Sequence, residues 1–111
     1  MKAWVLERHA TPERAFTLRD VPDPVPAKGH VLIRSEGFGL NYADVMARKG
    51  LYREAPPPPC VIGYENVGRV VGHGDGVPRE LLGKRVAAIT RFGGYANMVA
   101  TDHRAIVEVP E

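Results

Sequence analysis

Twelve glycines and ten prolines cut these 111 residues into short pieces. Between the breaks lie mostly alternating apolar runs: Lys2–Arg8, Phe16–Val21, His30–Gly37, Val67–His73, Arg85–Thr90, Tyr95–Thr101 and Ala105–Val109. Alternation with a period of two, bounded by turn residues, is the signature of half-buried strands. Seven such runs at this spacing predict a compact sandwich or barrel. The prolines Pro56–Pro59 cannot donate to a strand ladder, so Ala55–Pro59 reads as an extended, polyproline-like arm. Two helical segments interrupt the strands. Tyr42–Lys49 places Tyr42, Val45 and Met46 on one face, with Asn41 at the N-cap, Asp44 three residues on as in a capping box, and Gly50 as the stop. Pro78–Leu82 reads as a single turn closed by Gly83. The result is one mainly β domain, residues 1–111, with a short helix at its rim.

Composition narrows the function classes. A net charge of +2, no basic run and no interleaved aromatic–basic stripe argue against nucleic acid. The apolar stretches are too short for a membrane span, and Glu7 and Arg8 interrupt the opening apolar run too soon for a signal peptide. Cys60 stands alone, so no disulfide framework is expected and a reducing, cytoplasmic setting fits. His9, His30, His73 and His103 fall in different elements, none with a second ligand at metal spacing, so no metal site is expected. Ser35 lies within a strand and Cys60 lacks a nearby base. Neither reads as a nucleophile, and Cys60 reads as a small packing residue.

The segment Gly37–Tyr52, GFGLNYADVMARKGLY, carries the most chemistry. It is a strand-to-helix corner where polar side chains sit on a fixed backbone. Asn41 can cap the helix with its carbonyl oxygen and still donate its NH2 to a ligand. Tyr52 closes the segment with an apolar ring and a polar tip, suited to packing or to a site. Gly63-Tyr64-Glu65-Asn66 forms a second corner of the same kind. Neither Gly37-Phe38-Gly39 nor Gly72-His73-Gly74-Asp75-Gly76 opens a strand–helix–strand unit, so the chain carries no dinucleotide fingerprint.

GFGLNYADVMARKGLY, PPPPCVIGYENVGRVVGHGDGV, GKRVAAIT and GGYANMVATD, taken in order, resemble the catalytic domain of zinc-independent medium-chain reductases. The group in view is the NADPH:quinone oxidoreductases and vesicle amine-transport protein-like reductases. The likeness runs from Met1 to Glu111 and implies a GroES-like, partly open β-barrel. In zinc-dependent relatives the positions of Asn41 and Tyr64 hold a cysteine and a histidine ligand. An amide and a phenol replace them here, and the four-cysteine structural lobe is missing, so the resemblance implies no zinc. Glu65 persists from the zinc-type corner and implies a structural role. Ile62 departs from the proline that many relatives carry there.

The resemblance further implies hydride transfer from NADPH to a quinone or α,β-unsaturated carbonyl. It assigns Asn41 and Tyr52 to the pocket wall, with Asn41, Tyr42 and Met46 on the cofactor side and Tyr52 and Tyr64 on the substrate side; their placement at the two ends of one helix makes the Asn41 NH2 and Tyr52 OH the expected catalytic donors in place of zinc. Family members continue into a Rossmann domain, which this chain lacks and which would join it in cis or in trans. The chain alone is therefore expected not to turn over NADPH. A stand-alone GroES-like binding module is the alternative, and an uncovered face would favour a homo-oligomer.

Overall fold

A computed structural model describes residues 1–111. Seven strands form: β1 (Lys2–Leu6), β2 (Phe16–Asp20), β3 (His30–Gly37), β4 (Glu65–His73), β5 (Arg85–Ile89), β6 (Met98–Asp102) and β7 (Ile106–Glu108). Two α-helices accompany them, α1 (Pro12–Ala15) and α2 (Tyr42–Lys49). β1 and β2 pair as an antiparallel ribbon, and the other five form an antiparallel sheet in the order β6-β3-β4-β5-β7. Short bridges from Ala3 to Ala96 and from Leu6 to Cys60 sew the ribbon to the rest. The outcome is the partly open barrel, not a closed one.

The strand alternation sorts side chains as the sequence implies. Val31 and Ile33 on β3, Val70 on β4 and Val86 and Ala88 on β5 turn inward and meet Val77 in one core. A second core lies between the ribbon and α2, where Leu6, Ala15, Ala47, Ile62 and Tyr95 pack together. Burying an aliphatic side chain of this size contributes about 1.5–3 kcal/mol relative to leaving it in water.

Several boundaries move. β1 ends at Leu6, because Glu7 and Arg8 leave the ladder. β4 begins two residues earlier, at Glu65. The sixth strand starts at Met98 rather than Tyr95, since Gly93–Tyr95 instead run along Val61–Gly63 through backbone hydrogen bonds of 2.9–3.2 Å. The turn near Pro78 is a 3-10 turn at Arg79–Leu81. Helix α1 is new relative to the sequence reading: Pro12 opens it and Ala15 is fully buried.

The larger correction concerns α2. Its buried residues are Asp44 and Ala47, whereas Tyr42 is 76% exposed and Val45 37%. The helix turns its small and acidic residues inward and leaves its larger apolar ones outside. The helix ends on Gly50 in the left-handed conformation (φ 78°), as the stop signal implies.

Candidate functional site

The two corners read from sequence lie against each other. A Cβ at Gly39 would overlap the Glu65 carboxylate, so the glycine lets β4's first residue stand over the β3–α2 turn. Gly63, at φ 113°, carries the second corner, and a Cβ there would press on the Tyr95 ring and backbone at 2.6–2.7 Å. Thr90 Oγ1 donates to Gly63 O at 2.8 Å, and Asn66 Nδ2 donates to Gly94 O at 3.1 Å. Tyr64 thus leaves a corner fixed by the 90–95 loop.

Asn41 caps α2 as the sequence predicts, with the capping box closed by Asp44, whose carboxylate accepts the Asn41 backbone N–H at 2.9 Å. Asn41 lines a cavity of about 240 Å³ together with Asp44, Arg48 and Tyr95. Tyr52, beyond the other end of α2, packs edge-on against Tyr64 with ring centroids 5.8 Å apart. Tyr64 in turn meets Phe92 at 5.3 Å, which makes a three-ring wall. Tyr52 and Tyr64 are therefore brought together. Asn41 and Tyr52 line separate cavities. Tyr42 stands on the exposed outer face of α2, and Met46 is half-buried.

Three buried polar atoms have no hydrogen-bond partner within the chain: Asp44 Oδ1, Tyr64 OH and Asn66 Oδ1. Burial, then the neighbouring Tyr52, and then the Asp44 and Glu54 charges push the Tyr64 hydroxyl well above the ordinary tyrosine range. Burial and the Asp44 carboxylate do the same to Tyr95. Both phenols are held neutral, as donors. Burial also raises the Cys60 thiol, which donates to Pro56 O at 3.5 Å. That suits its reading as a packing residue.

Sequence reasoning passed over Asp44 as a bearer of site chemistry and missed Tyr95 and Phe92 altogether. An acid among the small and apolar residues of a helix was the available signal for Asp44. Tyr95 and Phe92 carried none, because only the fold brings their loop to the Tyr64 corner.

The comparisons with known proteins bear on this arrangement. The alcohol dehydrogenase GroES-like domain family matches residues 27–111. The chain belongs to that family. Among curated relatives, the human synaptic vesicle membrane protein VAT-1 homolog is 37% identical over 93 residues, covering 84% of this chain and 24% of the relative. The crystal structure of human synaptic vesicle membrane protein VAT-1 homolog-like protein superposes with a TM-score of 0.94 at 32% identity, over the whole chain and 36% of that structure. The quinone oxidoreductase from Thermus thermophilus, solved also in complex with NADPH, gives a TM-score of 0.80 at 39% identity, over the whole chain and 33% of that structure. The chain thus spans about a quarter to a third of the length of these GroES-like relatives. No helix in the fold is long and apolar enough to cross a membrane.

Proposed function

We propose that this chain is the acceptor-binding portion of an NADPH-dependent quinone or enone reductase that works without zinc. The observation that carries the reading is the pair of corners. By the resemblance, an amide at Asn41 and a phenol at Tyr64 stand where relatives of the zinc type would hold their metal. Tyr64 is held protonated by burial and by its neighbours, so a phenolate ligand is disfavoured there. This donor set fits hydrogen bonding and does not fit a zinc first shell.

The residues fit a nicotinamide at one place. Beside half-buried Asn41 lies an exposed apolar strip, with Leu40 77% and Tyr42 76% accessible. Asn41, Tyr42 and Met46 would hold the ring there, and the cofactor supplies the hydride when bound. The chain's own contribution is positioning and polarisation. Tyr52 and Tyr64 form the acceptor wall. From opposite ends of α2 and from separate cavities, the Asn41 NH2 would serve as donor on the nicotinamide side and the Tyr52 OH would donate to the acceptor's carbonyl oxygen as negative charge gathers on it, in place of a metal.

A Rossmann domain joined in cis or in trans completes the reductase, and the cytoplasm is its proposed setting. A second reading, a stand-alone binding module, has one observation behind it. A cavity of about 530 Å³ opens among Trp4, Phe16, Phe38, Leu40 and Tyr95 on the ribbon side. Turnover by the joined protein separates the two. The reductase reading expects no micromolar NADPH affinity for the chain alone, and quinone-dependent NADPH oxidation once it is joined to its nucleotide-binding domain. Joined protein that consumes no NADPH with any quinone or enone overturns it.

A further inference from the structure

Tyr52 has a second side. One edge meets Tyr64, and the ring also lines a cavity of about 260 Å³ bounded by His9, Gly50, Arg53 and the prolines Pro56–Pro58. The construction of this cavity is specific. The His9 ring rests on Gly50, where the backbone is left-handed and a Cβ would come within 2.7 Å of Nδ1. Only glycine permits both. The Arg48 guanidinium donates to Ala10 O at 2.6 Å, which holds the His9 loop against α2.

The polar groups facing this space are donors. His9 and Arg53 take part in none of the fold's ion pairs. Glu54, next in sequence, does not line the cavity; its charge acts on the Tyr64 hydroxyl instead. The C-terminal carbonyls of α2 would repel an anion. Two of them, Ala47 O and Met46 O, already accept the Gly50 and Leu51 N–H groups. What remains is an imidazole and a guanidinium around one small cavity, with the Tyr52 ring and rigid prolines as its walls.

We propose that this cavity is an anion subsite, which receives a carboxylate, sulfonate or phosphate substituent of the acceptor whose ring lies along Tyr52 and Tyr64. Arg53 supplies the planar fork suited to such groups, and His9 supplies a second donor. The proposal rests on the acceptor reading above and sharpens it: acceptors with an anionic arm are preferred over neutral ones. Because the Arg53 guanidinium is exposed, the preference is salt-sensitive.

The test titrates the 111-residue chain with naphthoquinone and with naphthoquinone sulfonate, followed by amide chemical shifts. The expected result is tighter binding of the sulfonate by about fivefold at low salt, with shifts at His9 and Gly50 that naphthoquinone does not cause. Arg53→Gln, a substitution at an exposed side chain, should bring the affinity ratio of the two ligands toward one. Equal affinities, or a ratio unchanged by Arg53→Gln, overturn the subsite. If the sulfonate shifts Gly50 while neither ligand shifts Tyr52 or Tyr64, the anion cavity stands and the acceptor reading falls.

Discussion

The Asp44 carboxylate accepts the Asn41 backbone N–H at 2.9 Å from a position only 4% exposed. One oxygen therefore fixes the residue that presents the site's amide, and the other is buried without a partner. Asp44 positions Asn41 rather than touching an acceptor itself. The net worth of such a hydrogen bond is modest, about 1 kcal/mol, and removing the unpaired oxygen offsets part of the loss. Asp44→Ala should therefore lower stability by no more than about 1 kcal/mol in urea, yet speed amide exchange in the first turn of α2. A variant with unchanged exchange at Asn41–Asp44 would show that the carboxylate does not hold the corner.

Tyr64 and Tyr95 give the fold an alkaline limit. Their folded pKa values lie above the ordinary tyrosine value of about 10. Below that pH the phenols are neutral in both states and cost nothing. Above it the unfolded chain loses these protons first and the folded chain keeps them, so stability falls as pH rises. Tyrosinate absorbance should show Tyr64 and Tyr95 titrating late, only as the chain unfolds. Tyr64 and Tyr95 titrating near pH 10 in the folded chain would contradict the burial argument.

Gly63 is the hinge of the second corner. Alanine there must adopt φ 113° and meet the Tyr95 ring and backbone. Gly63→Ala should destabilise by about 1–3 kcal/mol, and the near-ultraviolet signal of the tyrosines should change with it. Gly76→Ala is the control: the same backbone sign (φ 82°) with open space around it, and a smaller loss. Equal losses at the two sites would mean that contact with Tyr95 does not matter.

Local rules made much of this fold legible. Period-two alternation found all seven strands, and Asn41, Asp44 and Gly50 bounded α2 at both ends, because caps and stops act through neighbours in sequence. What stayed hidden was non-local. Tyr95 looked like a strand residue. The backbone partners at Ile62 and Trp4 that make it a loop residue lie 33 and 91 positions away (95 − 62 and 95 − 4). The orientation of α2 was also hidden, since its apolar face pointed the wrong way for a helix that buries Asp44. A helix that hides its acid and exposes Tyr42 departs from the hydrophobic pattern. At the site itself, the Tyr52–Tyr64 pairing followed the resemblance, while Phe92 and the His9 cavity depended on chain returns with no sequence signal.

The central claim is that Asn41, on the nicotinamide side, and Tyr52, at the acceptor oxygen, are the hydrogen-bond donors that work in place of a metal. The most direct measurement is kcat/KM for quinone-dependent NADPH oxidation by this domain joined to its nucleotide-binding partner, with Asn41→Ala and Tyr52→Phe compared with the unaltered protein. Each lost donor should lower kcat/KM by roughly tenfold or more, largely through kcat. Unchanged kcat/KM in both variants would contradict it.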